Sequence, residues 1–364
     1  MTNPQSYLAP MPVRGRIQRA QPRGLPIVNL GYNELPHGPS PAVRAALAGA
    51  GDQANRYGSP FADGLRADLG ARFGLDPDRI LCGNGSEDLL DVIARVFARP
   101  GDEVLISAFG YIQFALVANR QGATLVKAPE RNLTTDPMAL LAAVTPRTKV
   151  LFLANPNNPT GTMLPVPALE ALVDAIPGHV VVVLDLAYGE FAGKGYCDAV
   201  HGLAEARDNV VVTRTFSKAY GLAGVRVGWA CAPAWMVPHL YAARAMGPVN
   251  ALAQGAARVA LAETDFLQAR IDEVVSERAR VTGVLTQYGV EVTPSHTNFL
   301  LVRPSGDDPA TTEALVEYLF DEAGIVVNRT REAGLESWMR FSLGLPAQND
   351  LLIATVARFL TPSP

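Results

Sequence analysis

Val210-Val211-Val212-Thr213-Arg214-Thr215-Phe216-Ser217-Lys218-Ala219-Tyr220-Gly221-Leu222-Ala223-Gly224-Val225-Arg226-Val227-Gly228 runs from an apolar, strand-like segment into a glycine-rich turn. Lys218 follows two small hydroxyl residues, Thr215 and Ser217, and Arg226 closes the turn. A lysine set against apolar surface loses part of its preference for the charged form. As a neutral amine it is a nucleophile that forms a Schiff base with a carbonyl. The hydroxyls and the guanidinium suit a phosphate. A Ser-Lys pair alone in such a loop is ordinarily a surface feature, so its weight comes from the rest of the chain.

The apolar segment belongs to a series. Between about residues 80 and 232, short β-branched runs at 103–107, 123–127, 149–153, 180–184 and 210–213 alternate with helical patterns. Unbroken apolar runs mark strands buried on both faces. Their alternation with helices predicts an α/β fold with a mainly parallel sheet flanked by helices. Farther on, helical patterns at 251–263 and 266–287 precede short strands near 298–302, 325–327 and 338–343, with a helix near 311–322. That part reads as a smaller α+β domain. The expected organisation is an irregular arm at 1–28, a piece of the small domain at 29–50, a large domain at 51–250, and the rest of the small domain at 251–364. Ser40-Pro41 opens a helix in the second piece. Arg14, Arg16, Arg19 and Arg23 make the arm basic.

A chain of 364 residues, 48 % hydrophobic and 18 % charged, has the size and composition of a soluble protein with two domains. Its net charge, 31 − 35 = −4, favours neither nucleic acid nor an anionic membrane as partner. Cys82, Cys197 and Cys231 stand far apart, without a CxxC pair or a histidine cluster. This argues against a disulfide framework or a metal site and fits a reducing cytoplasm. The amino-terminal residues lack an apolar signal core, and no run approaches the length of a membrane span.

Four further motifs precede Lys218 in the chain. Gly83-Asn84-Gly85-Ser86-Glu87-Asp88 leads into an apolar helical set, with Ser86 as the expected N-cap. Glycines there, Gly85 among them, expose backbone N–H groups to an anion. Tyr111 follows the 103–107 run and offers a ring for stacking at the carboxyl end of a parallel strand. Asn155-Pro156-Asn157-Asn158-Pro159-Thr160-Gly161 is a tight, rigid turn, either purely structural or able to hold an amide toward a phenolic oxygen. Asp185 ends a wholly apolar strand, and a carboxylate there needs a cationic partner such as a protonated pyridine nitrogen. Tyr188 lies within reach of a ring hydroxyl. A ring stacker, a buried acid, an amide, a phenol, an amine and a phosphate cradle are the set that pyridoxal 5′-phosphate requires.

On these motifs the chain resembles the fold-type I pyridoxal-phosphate aminotransferases, most of all their histidinol-phosphate aminotransferase branch, from about residue 33 to 360. The resemblance implies that Lys218 carries the cofactor, Asp185 pairs with its ring nitrogen, and Asn158 and Tyr188 contact its ring oxygen. It also implies that Tyr111 stacks on the ring, while Gly85, Ser86, Thr215, Ser217 and Arg226 bind the phosphate. Tyr57, in Arg56-Tyr57-Gly58, matches a tyrosine that reaches the phosphate across a dimer interface, so a homodimer is implied. Arg340, in Trp338-Met339-Arg340-Phe341-Ser342, matches the arginine for the substrate's acidic group. Asn33, in Asn33-Glu34-Leu35-Pro36, belongs to the family's entry motif and to the substrate side, with Asn158.

The implied activity is amino transfer between an amino donor and a 2-oxo acid. Decarboxylation, elimination or cyclisation on the same scaffold is the alternative. The substrate side departs from the branch: Leu35 replaces a second Asn, Gly247-Pro248-Val249-Asn250 replaces Tyr-Asn-Val-Asn, and Asn328 stands where an Arg is usual. Arg329, next along a strand, would face the other way. Histidinol phosphate is therefore expected to be a poor donor, and an apolar or aromatic amino acid a better one.

Overall fold

Val181–Asp185 shows why the central strands form where they do. Val181 and Val183 enter one core with Ile106, Phe114 and Phe152, while Val182 and Leu184 enter another with Leu105, Leu151 and Leu169. Side chains alternate across a strand, so a strand covered on both faces is apolar throughout. The computed structural model describes residues 24–330 and 332–361, and the basic arm with Arg14, Arg16, Arg19 and Arg23 lies outside them.

The central sheet has seven strands, in the order Ile80–Gly83, Gly228–Cys231, Val210–Thr215, Val181–Asp185, Thr148–Ala154, Glu103–Ser107 and Thr124–Ala128. Six run parallel. Gly228–Cys231 is antiparallel to both its neighbours. The five strands expected from the sequence all form, with ends shifted by a residue or two. Ile80–Gly83 and Gly228–Cys231 went unread because Gly83, Gly228 and Ala230 break the β-branched signature; Ile80, Cys82, Trp229 and Cys231 stabilise them by burial.

Parallel alignment brings the carboxyl ends Gly83, Ser107, Ala154, Asp185 and Thr215 to one edge. In doubly wound sheets, ligands bind outside that edge. Gly228 starts the antiparallel strand at the same edge, opposite both Gly83 and Thr215.

The smaller sheet has four antiparallel strands, Glu291–Val292, Phe299–Arg303, Met339–Ser342 and Asn328–Arg329. Helices Thr264–Gln287, Pro309–Ala323 and Pro346–Leu360 cover it through Val274, Val281, Leu315, Leu319, Leu352 and Val356. The amino-terminal segment divides between the two units. Val28–Asn29 pairs in parallel with Ile325–Val326 beside the small sheet. Helix Pro41–Ala50, capped by Ser40 Oγ accepting from Val43 N at 3.1 Å, shares a core with helix Ala251–Ala262, Ile80 and Trp229. Packing thus groups residues 41–50 and 251–262 with the large sheet, where the sequence pattern grouped them with the small unit. Among the described residues no helix is long and apolar enough to cross a membrane.

Candidate active site

A cavity of about 270 Å³ opens at the carboxyl edge of the large sheet. Ser86, Tyr111, Asn158, Asp185, Tyr188, Thr215, Ser217, Lys218 and Arg226 line it, together with Tyr32, Glu34 and Glu87. Most of these residues, far apart in sequence, meet there because they end or follow strands of the large sheet, while Tyr32 and Glu34 come in from the segment after Val28–Asn29.

Lys218 is half-buried behind the strand Val210–Thr215. Its Nζ donates to the backbone oxygens of Asn33, at 3.1 Å, and Tyr32, at 3.4 Å. Burial, with the nearby Arg340 guanidinium, lowers its pKa to about 8. Asp185 is buried at its strand's end, and burial pushes its pKa up to about 6. Its Oδ1 accepts from Thr213 Oγ1 and from Ala187 N, both at 3.1 Å. No helix begins at Asp185, so it is not a helix cap.

The other end of the cavity is a nest of donors. Ser217 N and Oγ lie 3.1 and 3.0 Å from Thr215 Oγ1, and Arg226 Nη1 reaches Ser217 Oγ at 3.5 Å. Arg226 sits at φ 62°, a left-handed conformation that swings its side chain back toward the helix Ser86–Phe97. Ser86 is the first residue of that helix and not its cap. Gly85 takes the cap position, at φ 86°. The fit is close: a Cβ on Gly85 would stand 2.5 Å from Arg226 Nη2, and one on Gly228 would stand 2.2 Å from Ser86 N. Only glycine lets the helix amino terminus approach the turn.

Tyr111 precedes the helix Ile112–Arg120 and meets Phe114 edge-on at 5.7 Å. Its hydroxyl donates to Glu87 Oε1 at 2.6 Å. Burial, with Glu87 beside it, raises the phenol's pKa. Glu130 Oε1 accepts from Ser107 Oγ and Phe109 N, and Asn157 Nδ2 donates to Phe109 O, so the turn before Tyr111 is tied on both sides.

Arg340 and Asn33 stand just behind the lining. Arg340 donates to Asn158 Oδ1 and, at 3.1 Å, to Gly31 O. Asn33 is buried at φ 55°; its Nδ2 donates to Tyr188 Oη at 2.8 Å and its N to Ser342 Oγ at 2.8 Å. Burial pushes the Tyr188 phenol up to about 12. Asn328 pairs with Arg340 across the small sheet. Arg329 forms an ion pair with Glu313 on the helix Pro309–Ala323, so its charge faces away from Arg340's side, as the strand alternation predicts. Tyr57 is fully exposed and does not line the cavity.

These residues fit pyridoxal 5′-phosphate on their own geometry. Asp185 is a buried acid whose two donors are neutral and share one oxygen, which suits a cationic ring nitrogen. The hydroxyls, the guanidinium and the helix amino terminus suit a phosphate. Sequence reading missed Glu34, Tyr32, Glu87 and Thr213. Thr213 had a signal, lying two residues before Thr215 and hence on the same strand face. Glu87 had none, since an acid in a first helical turn is ordinary.

Comparison with known proteins agrees. The family model for "Aminotransferase class I and II" matches residues 26–356. A histidinol-phosphate aminotransferase from Paramagnetospirillum magneticum is 41 % identical over 92 % of each chain. The crystal structure of a histidinol-phosphate aminotransferase from Sinorhizobium meliloti in complex with pyridoxal-5′-phosphate has a TM-score of 0.87 and 31 % identity, over 93 % of this chain and 92 % of that one. An L-threonine-O-3-phosphate decarboxylase from Porphyromonas gingivalis has a TM-score of 0.78 and 26 % identity, over 92 % of this chain and 99 % of that one. A mainly parallel sheet with Asp185 and Lys218 at its carboxyl edge, a cavity suited to pyridoxal phosphate and these matches agree: the chain belongs to the class I and II aminotransferases, in the histidinol-phosphate aminotransferase-like branch, and catalyses pyridoxal-phosphate-dependent amino transfer.

Proposed function

We propose that Lys218 holds the cofactor and that its Nζ takes and returns the proton at the substrate's Cα. A base works best with a pKa near the operating pH, and burial brings Lys218 to about 8. Asp185 keeps the proton on the ring nitrogen, Tyr111 stacks on the ring, and Asn158 and Tyr188 hold the ring oxygen. Gly85 and Ser86 offer backbone N–H groups to the phosphate, while Thr215, Ser217 and Arg226 offer side chains. The cofactor, when bound, supplies an electron sink for the carbanion at Cα. The observation that carries this reading is Lys218 Nζ in one cavity with Asp185 and Arg226.

Arg340 takes the acidic group of the amino donor, and Asn158 and Asn33 support it on the substrate side. The acceptor is a 2-oxo acid. Histidinol phosphate is the first candidate donor, because the relatives at about 40 % identity carry that name. An aromatic amino acid is the second reading. It is favoured by Asn328 opposite Arg340 and by Arg329 engaged with Glu313, so the strand Asn328–Arg329 adds no guanidinium beside Arg340. A carboxylate asks less of a single arginine than a dianionic phosphate does. Comparing kcat/KM for histidinol phosphate and phenylalanine, with 2-oxoglutarate as acceptor, decides between them. Turnover of neither, with release of carbon dioxide or ammonia instead, would overturn the substrate assignment.

A further inference from the structure

Among the described residues Glu87 is the one carboxylate in contact with both Tyr111 and Arg226. Its Oε1 accepts from Tyr111 Oη at 2.6 Å, and its Oε2 lies 3.6 Å from Arg226 Nη2. The ordinary account of an acid in a first helical turn is that it complements the helix dipole. Its neighbour Asp88 already serves the turn, accepting from Asn84 N at 3.0 Å. Glu87 instead points into the cavity, where it puts a negative charge beside the donors that suit an anion. The same charge favours the cationic form of Lys218.

The two contacts act in opposite directions. Arg226 has a limited set of N–H groups, and Nη1 is already shared between Ser217 Oγ and Ala223 O. A carboxylate near Nη2 draws that edge of the guanidinium away from any other anion and repels the anion itself. A carboxylate bonded to a phenol at 2.6 Å, by contrast, fixes the tyrosine side chain in one orientation.

We propose that Glu87 is a positioning residue of the cofactor site: it competes with the cofactor's phosphate for Arg226 while holding the Tyr111 ring in place. The hold on the phosphate is thereby weaker than the donors alone would make it, and the ring of Tyr111 is better placed. This rests on the pyridoxal-phosphate reading above.

The test uses full-length protein freed of cofactor by dialysis, with three ligands: pyridoxal 5′-phosphate, pyridoxal, and inorganic phosphate. Glu87→Gln keeps an acceptor for Tyr111 and removes the charge. It should bind both phosphate-bearing ligands roughly two- to fivefold tighter than wild type, the effect of one partly exposed charge pair, and bind pyridoxal unchanged. Glu87→Ala also removes the acceptor and should bind pyridoxal more weakly than Glu87→Gln does. In an Arg226→Gln background, the gain from Glu87→Gln should shrink to the part due to direct repulsion between Glu87 and the anion, because the competition for the guanidinium has lost its object. Equal or weaker inorganic phosphate binding by Glu87→Gln in the native background would overturn the proposal. So would a gain of the same size with Arg226 replaced. If wild-type protein fails to turn yellow with pyridoxal 5′-phosphate, the cofactor reading itself falls, a result distinct from any difference among the variants.

Discussion

Lys218 and Asp185 are both shifted by burial, toward their neutral forms, and each shift has a measurable consequence. A lysine with a pKa of about 8 is half neutral at that pH, whereas an ordinary lysine is neutral only above about pH 10. In protein freed of cofactor, an amine-acylating reagent should therefore label Lys218 before the ordinary lysines, its rate rising through about pH 8. Peptide mapping would show the site. Lys218→Ala should lose the yellow colour and turnover by about 10²- to 10⁴-fold, the worth of a positioned acid–base group; full activity would refute its role. For Asp185 the sign is opposite to that of a salt-bridged acid. Its folded pKa of about 6 lies above the ordinary 3.8, so its charge costs stability, in full above about pH 6 and not at all below about pH 4. The cost is on the order of 3 kcal/mol. A cationic ring nitrogen beside it would offset that cost. Added cofactor should then raise the melting temperature more at pH 8 than at pH 5, and Asp185→Asn should remove the difference. A melting shift equal at both pH values in the wild type would contradict the pairing.

The elements matter through how closely they approach. Strand Gly228–Cys231 and helix Ser86–Phe97 touch at backbone level, and Gly228 is the residue that permits it. Gly228→Ala forces a methyl against Ser86 N and Gly85 C, which cannot rotate away as a side chain would. Overpacking of this kind costs about 1–3 kcal/mol, and here it also distorts the donors at the phosphate end. Urea unfolding should show the lower midpoint, and cofactor titration the weaker binding. Gly255→Ala is the control. Gly255 lies within the helix Ala251–Ala262, a Cβ there meets nothing within 4 Å, and the substitution should raise stability by roughly 0.5–1 kcal/mol. A tolerated Gly228→Ala, with both stability and binding intact, would mean the approach is not needed.

At the scale of the whole molecule the open question is the second copy. Tyr57 is a large aromatic side chain left fully exposed and outside the cavity of its own chain. A homodimer, which the family resemblance implies, would give it a place at the phosphate of the neighbouring site. Light scattering at assay concentration should then report a dimer. Tyr57→Ala should leave thermal stability without cofactor nearly unchanged and weaken cofactor binding by about ten- to a hundredfold, the worth of a hydrogen bond to a charged group. Wild-type affinity in that variant would remove Tyr57 from the site.

Five central strands and most of the residues that line the cavity were legible in the chain because their signals are local. A strand buried on both faces must be apolar throughout, and Val181–Asp185 announces both the strand and the anomaly of an acid at its end. Lys218, Arg226 and the Asn155–Gly161 turn are likewise local patterns of chemistry. The direction of Arg329 also followed locally, from the alternation of side chains along a strand. What tertiary structure alone decided are the contacts made across long sequence separations. Ile80–Gly83 and Gly228–Cys231 are strands because Cys82 and Trp229 find a core under helices Pro41–Ala50 and Ala251–Ala262. Asn33 meets Tyr188, and Arg340 meets Asn158, only after two units fold against each other. Glu87 acquires its two partners in the same way. Period and composition record which face of an element is covered; which polar groups meet above it depends on how the elements pack, and no local pattern carries that.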